Sequence, residues 1–237
     1  MSDTVYDDGY EETFRLLGKY DTTERDISQL LELVQLPVAS HVLDIPCGFG
    51  RHAEVLCRYG MRVTGLDSSR FQLENARKRD GRIEVVLDDM TRPPSSGSFD
   101  LIVNLWTSFG YLQSEADDFS ALEAWRRVLR PHGHLVMELS TLENARLDAA
   151  AGDEPISYRI SMRNGVRERA AFNWVSGIAD VEYSRPGWCR RFYTRMYSRE
   201  ELRIMLQEAG FGNIALYGGF DGTTPRDDRR TVIVARL

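Results

Sequence analysis

The stretch Val42-Leu43-Asp44-Ile45-Pro46-Cys47-Gly48-Phe49-Gly50 decides how the rest of this chain is read. A short apolar run, His41 to Ile45, stops at a proline and two glycines. Residues 51–59 follow, with Val55, Leu56 and Tyr59 at helical spacing, and Gly60 is a stop. This is a strand running into a glycine turn and then a helix. Glycines let backbone approach a ligand closely. The helix N-terminus offers unpaired N–H groups to a carboxylate or a phosphate. Gly48-Phe49-Gly50-Arg51-His52-Ala53 also satisfies the dinucleotide pattern G-x-G-x-x-A, a weak signal when it stands alone.

Working outward, strand-like and helix-like segments alternate. Met61 to Leu66, Ile83 to Leu87, Phe99 to Leu105 and Gly133 to Leu139 read as strands. Ser68 or Ser69 caps a helix through about Arg79. Arg92-Pro93-Pro94-Ser95-Ser96-Gly97 reads as a loop. A helix over 115–130 sets Phe119, Leu122, Trp125 and Leu129 on one stripe, and Pro131 ends it. The expected class is α/β, a doubly wound and mostly parallel sheet covered on both faces. Ligands of such sheets bind beyond the carboxyl ends of the strands. The loops after Asp44, Leu66, Leu87 and Leu105 therefore surround one crevice.

The rhythm breaks near residue 150. Residues 157–163, 166–175, 178–184 and 188–197 are β-rich and are separated by Asn164-Gly165, Ser176-Gly177 and Arg185-Pro186-Gly187. Such turn signals between β-rich runs make an antiparallel meander. The helical pattern returns with a capping box at Ser198 and Glu201 and a face of Leu202, Met205, Leu206 and Ala209. Two last strands lie near 213–219 and 231–236. The expected organisation is a single domain: a helical cap over 1–39, a Rossmann-like core over 40–150 and 198–237, and an inserted β lid over 151–197.

The chain has 237 residues, 28% of them charged, with a net charge of −6. An acidic balance argues against an unaided grip on a phosphate backbone, so no nucleic-acid partner is expected. No apolar run approaches the roughly 20 residues that span a bilayer, so no membrane partner is expected either. The first eight residues are acidic and lack the apolar stretch of a signal peptide. Three cysteines, Cys47, Cys57 and Cys189, form no C-x-x-C pair and no even disulfide framework. A reduced, cytoplasmic setting is expected.

Three acidic marks sharpen the glycine turn. Asp67 ends the second strand, where a carboxylate accepts both hydroxyls of a ribose. Asp88-Asp89-Met90 ends the third, where an acceptor can take the exocyclic amine of adenine while Met90 packs on the ring. Asp44 lies inside the first strand, before the glycines. It would hinder an NAD pyrophosphate and would favour a ligand with a cationic amine.

With these residues the chain resembles the class I S-adenosylmethionine-dependent methyltransferases. Leu43 to Gly50 looks like the first motif of the family and Val63-Thr64-Gly65-Leu66-Asp67 like the second. Asp88-Asp89-Met90 looks like the third and Ser98-Phe99-Asp100-Leu101-Ile102-Val103 like the fourth. Val128 to Leu135 matches the end of a helix and the fifth strand. Residues 214–217 and 231–235 look like the final hairpin. The resemblance implies a seven-stranded sheet of order 3-2-1-4-5-7-6 with the last strand antiparallel, and S-adenosylmethionine as cofactor. It implies that Asp44 with the turn residues Pro46, Cys47, Gly48 and Gly50 holds the methionine end. Asp67, beside Ser68, would hold the ribose, and Asp89 with Met90 the adenine, with Asp88 as the runner-up for that contact. The backbone at Asn104 and Leu105 would lie near the methionine ammonium. Pro46 departs from the usual glycine, as does His132. Residues 6–36 and the meander look like the cap and lid of small-molecule methyltransferases of a bacterial type. The acceptor is then a small molecule, in a setting such as natural-product biosynthesis.

The remaining signals are weaker. His52 opens the helix after the turn and either faces the transfer site or packs. His41, His132 and His134 stand at the wrong edge or inside a strand, and no metal-ligand cluster appears. Cys47 reads as a small residue beside the turn. Tyrosine faces suit a sulfonium cation, and Tyr20 and Tyr197 are the candidates to reach the centre. With His52 they make up the catalytic candidates. The lid is rich in arginine, which makes either a solvated face or homodimer interface, or a partner for a carboxylate or phosphate on the acceptor. No convincing base is visible, which tilts the reading toward nitrogen rather than oxygen methylation. An NAD-type oxidoreductase and a non-catalytic cofactor-binding regulator are the alternatives. A nucleic-acid methyltransferase would carry an Asn/Asp-Pro-Pro-aromatic motif where Asn104-Leu105-Trp106-Thr107 stands.

Overall fold

Residues 6–94, 99–150 and 152–237 are described by a computed structural model. The first five residues, part of the loop expected at 92–97 and the first residue of the fourth motif, Ser98, lie outside them. So does residue 151, where the lid was expected to begin.

Two short helices come first, α1 (Asp8–Leu16) and α2 (Thr23–Val34). Asp7 caps α1 by accepting from the Tyr10 amide. The central sheet then builds in the expected alternation: β1 (His41–Asp44), α3 (Arg51–Arg58), β2 (Arg62–Asp67), α4 (Arg70–Arg79), β3 (Glu84–Leu87), β4 (Phe99–Asn104), α5 (Glu115–Val128) and β5 (Leu129–Leu139). A short helix, α6 (Leu142–Asp148), precedes the meander β6 (Ile156–Arg163), β7 (Val166–Asn173), β8 (Ile178–Arg185) and β9 (Trp188–Arg195). The core resumes with α7 (Arg199–Glu208), β10 (Gly212–Tyr217) and β11 (Thr231–Arg236).

The sheet order is β10-β11-β5-β4-β1-β2-β3. Leaving the lid strands out of the count, this is 3-2-1-4-5-7-6. β3, β2, β1, β4 and β5 run parallel, and β11 pairs antiparallel with both β5 and β10. The four lid strands form a separate antiparallel sheet in sequence order. Buried residues pack on both faces of the seven-stranded sheet. One layer gathers Leu43, Ile102, Trp125, Leu206 and Ile233; the other gathers Ile27, Val42, Leu56, Leu101 and Val232. Each strand thus feeds alternate residues to opposite layers, as the pleat requires.

Three local readings change. Tyr59 lies just past α3 and is exposed, so the inner face of that helix belongs to Val55 and Leu56. β5 begins at Leu129, not Gly133, and α5 stops at Val128. His132 takes a positive φ of 65°, which lets the strand kink through Pro131 and keep its pairing. α6 was not anticipated. Its seven residues are too few to show a period, and the Thr141–Asn144 capping box that starts it carries asparagine in place of the usual acid or glutamine.

Candidate functional site

The loops after β1, β2, β3 and β4 converge on one cavity of about 320 Å³, roofed by α1 and by the inner face of the lid. Pro46, Cys47, Gly48, Asp67, Ser68, Asp89, Met90 and Leu105 line it. The Ile45–Pro46 peptide is cis, and the Cys47 amide donates to the Leu66 carbonyl at 2.8 Å. The first loop is therefore clamped to the end of β2. Asp67 tightens the clamp: its carboxylate accepts from the Gly48 amide at 2.8 Å and the Ser69 amide at 2.9 Å. Gly48 has a φ of 53°, and a Cβ placed there would meet nothing within 4 Å, so the floor of the turn is open toward the cavity. Gly50 serves packing. A Cβ there would stand 2.8 Å from the Ala76 side chain, so the glycine lets α3 lie against α4.

At the end of β3 the two aspartates divide. Asp89 lines the cavity and accepts from the Thr91 amide at 2.9 Å. Asp88 accepts from the Asp89 amide and pairs with Arg92 at 2.7 Å. Met90 joins Asp89 in the lining.

Asp44 and Asn104 end the two central strands and do not reach the cavity wall. They lie beneath it, 1% and 0% exposed. Neither Asp44 carboxylate oxygen has a hydrogen-bond partner, although the Ala53 amide lies near enough to favour the anion. The Asn104 Nδ2 donates to the Ile45 carbonyl at 2.7 Å, which leaves Oδ1 buried and unpartnered. Burial pushes the Asp44 carboxyl up to about 8, with Arg51 pulling it down and Asp67 adding to the rise. Buried acceptors without donors are costly. Two of them at the ends of adjacent strands fit a ligand that brings its own cationic N–H groups.

Among the catalytic candidates, Tyr20 and His52 line the cavity and Tyr197 does not. The Tyr20 hydroxyl is buried without a partner, and burial raises its pKa far above the ordinary value. Burial, with Arg51 and Arg230 adding, holds the His52 imidazole neutral. A period of two carried through 188–197 would put Tyr197 on one face with Arg191 and Tyr193, but β9 ends at Arg195. There the Gly110 carbonyl accepts from the Arg195 amide at 2.8 Å and turns the chain. Tyr197 drops into the core and donates to the buried Asp118 carboxylate at 2.7 Å. The opposite face, Phe192, Thr194 and Met196, does line the cavity. Burial raises the Cys47 thiol well above its usual range, which suits a packing residue.

Arg51 and Glu138 carried no periodic or motif signal, whereas Trp106 and Thr107 open a stretch, Trp106 to Tyr111, that resembles the same bacterial type of small-molecule methyltransferase. Arg51 follows the last glycine of the motif. Its guanidinium lies between the rings of Tyr20 (5.0 Å) and Trp106 (4.6 Å), donates to the Thr23 hydroxyl, and keeps Nη2 buried and unpartnered. Trp106 and Thr107 both adopt positive φ, 68° and 55°, a conformation that costs side chains energy. Glu138 of β5 pins them. Its carboxylate accepts from the Trp106 amide and its carbonyl from the Thr107 amide, each at 2.8 Å. Trp106 and Thr107 both line the cavity at the mouth of β4.

The cap and the lid are joined. Asp7 pairs with Arg190 and accepts from the Trp188 indole, and Arg185 pairs with Glu12 and donates to Thr13. Among the described residues there is no group of three or more His, Cys, Asp or Glu that could hold a metal ion, and no helix long and apolar enough to cross a membrane.

This architecture, a 3-2-1-4-5-7-6 sheet with a glycine turn and acidic strand ends, is that of solved methyltransferases. The chain matches the family model described as a methyltransferase domain over residues 42–133. It is 43% identical over 164 residues to the trans-aconitate 2-methyltransferase of Paracidovorax citrulli, which covers 68% of this chain and 61% of that one. It is 29% identical over 200 residues to the glycine/sarcosine N-methyltransferase of Aphanothece halophytica, covering 80% and 73%. In structure it is similar to the S-adenosylmethionine-bound amino pentose methyltransferase of Micromonospora echinaspora. The TM-score there is 0.73 at 23% identity, over 98% of this chain and 97% of the other. The chain belongs to the class I S-adenosylmethionine-dependent methyltransferases: it is an enzyme, and S-adenosylmethionine is its cofactor.

Proposed function

We propose that this enzyme methylates an amine nitrogen of a small-molecule acceptor, in the cytoplasm and within natural-product biosynthesis. The observation that carries the reading is the chemistry at the centre of the cavity. Buried phenols line it, and burial raises the pKa of Tyr6, Tyr10, Tyr20 and Tyr111. Of the carboxylates in its wall, Asp67 and Asp89 belong to the strand ends, and Glu168 and Asp148 are paired with Arg159. A neutral amine presents its lone pair without a base, whereas a hydroxyl needs one. Lys19, Arg159 and Arg230 on the far wall disfavour a further cation and so favour the unprotonated amine. One relative by name, the glycine/sarcosine N-methyltransferase, supports nitrogen as the target.

Bound S-adenosylmethionine supplies a methyl group on a sulfonium sulfur, which an acceptor displaces in line. The chain's own residues bind and orient. Asp44 and Asn104, with the Leu105 backbone, take the ammonium of the methionine end, and the free Nη2 of Arg51 takes its carboxylate. Pro46, Cys47, Gly48 and Gly50 shape the turn around it. Asp67 accepts from the ribose, next to Ser68. Asp89 accepts from the adenine amine, and Met90 packs on the ring. The Tyr20 hydroxyl faces the acceptor, and the roof of α1 and lid excludes water. A homodimer through the lid completes the reading.

Replacing Asp67 by Ala should weaken S-adenosylhomocysteine binding by about 100-fold, the loss of roughly two charge-assisted hydrogen bonds. An unchanged Kd would remove Asp67 from the ribose site. Amine and hydroxyl versions of the same small molecules, offered with isotope-labelled S-adenosylmethionine, decide the target atom. Label on the amines alone supports nitrogen. A second reading rests on the neutral His52 in the cavity wall. Label on the hydroxyls that vanishes in His52→Asn would make that imidazole the base and the enzyme an oxygen methyltransferase.

A further inference from the structure

The far wall of the cavity holds more cationic donors than it has acceptors for. Three segments distant in sequence supply them: Lys19 between α1 and α2, Arg159 of β6, and Arg230 just before β11. The Lys19 ammonium makes no hydrogen bond or ion pair among the described residues. Burial lowers its pKa, and Arg230, Arg159 and Arg163 press in the same direction against Glu168. Arg159 spends both terminal nitrogens on Glu168 and Asp148, and its Nε is buried without a partner. Arg230 stacks on the Trp106 ring at 3.8 Å and bonds Glu138 through Nη1 alone. Glu138 is itself committed to the Trp106 amide. The carboxylates of this wall are therefore taken, while the Lys19 ammonium, the Nε of Arg159 and the remaining edge of Arg230 have no acceptor among the described residues.

Like charges gathered in a partly dry cavity repel, and buried donors without acceptors cost free energy. Nothing at the strand ends that hold a nucleoside uses these three residues. We infer that Lys19, Arg159 and Arg230 form an anion subsite that recognises a carboxylate or phosphate on the acceptor. This rests on the small-molecule reading above and deepens it: the substrate is an amine-bearing anion. The subsite fixes the anionic end of the acceptor at the lid, and the amine is left to face the strand ends. A flat guanidinium edge and a point-charge ammonium together suit an oxyanion.

The test uses the whole chain saturated with S-adenosylhomocysteine, titrated calorimetrically with citrate and, separately, with pyrophosphate. At least one probe should bind in the millimolar range or tighter and should weaken as salt is added. Citrate alone marks a carboxylate acceptor, pyrophosphate alone a phosphorylated one, and either supports the subsite. Lys19→Gln and Arg159→Gln should each weaken that probe by about tenfold, the loss of one charged contact. Lys19→Arg should restore most of it, and S-adenosylhomocysteine affinity should stay unchanged in all three. Neither probe binding, or Lys19→Gln binding as well as the parent chain, overturns the subsite. A parent chain that binds S-adenosylhomocysteine but neither anion sinks only this inference. Failure to bind S-adenosylhomocysteine at all sinks the reading beneath it.

Discussion

Asp44 shows how much one side chain depends on its surroundings. In the sequence it is an acid before a glycine turn. In the fold it is a buried carboxyl without a donor, held protonated up to about pH 8. Its pKa is raised on folding, so the folded chain carries a proton here that the unfolded chain loses near the ordinary carboxylate range of about 4. For this group, stability of the ligand-free enzyme falls as pH rises through that window, from about 4 toward about 8. A bound ammonium reverses the preference and drives the proton off. Binding of S-adenosylhomocysteine at pH 7 should then release a proton, and its affinity should rise toward pH 8 by at most tenfold per unit. Calorimetry in buffers of different ionisation enthalpy reads the release, and Asp44→Asn should abolish it. Proton release that survives in Asp44→Asn assigns it elsewhere. The presence of Asp44 was legible in the motif. Its titration was not, because desolvation is a property of the neighbours.

Among the elements, the loop after β4 and the end of β9 depend on each other. Gly110 takes a φ of 94°, and a Cβ there would come 2.1 Å from the Arg195 carbonyl oxygen. The backbone bond between the same two residues turns the chain and sends Tyr197 into the core. Gly110→Ala should cost about 3 kcal/mol through strain and collision, lowering Tm by roughly 6–12 °C for a domain of this size. A Tm within a degree or two of the parent would show that the close approach is not needed. Alternation along β9 predicts that Phe192, Thr194 and Met196 share a face, and they do line the cavity. The same alternation fails one residue later, at Tyr197, since a period of two holds only while the ladder does.

At the scale of the whole molecule, the lid sheet both roofs the cavity and ends in an open edge. β6 is its outer strand, with Tyr158, Ile160 and Met162 each more than 60% exposed and alternating on one face. A second copy offers the same strand, and antiparallel pairing about a two-fold axis satisfies both edges at once. The enzyme should sediment as a dimer, and Ile160→Lys should turn it into a monomer. A parent chain that sediments as a monomer at its highest soluble concentration removes the lid as a dimer contact.

The resemblance to a known family implied the strand order, and by itself the sequence determined the layered sheet, the meander and the run of acidic strand ends. Each of these is written in local period, in glycine and proline punctuation, or in a motif shorter than ten residues. Tertiary structure alone decided which side chains face the cavity and in what protonation state. Arg51 between two aromatic rings, Glu138 beneath a strained loop, and Lys19 beside Arg159 and Arg230 come together from segments far apart in the chain. No local pattern encodes such a meeting. Burial, charge and hydrogen-bond supply are sums over neighbours, and the neighbours are fixed only when the chain has folded.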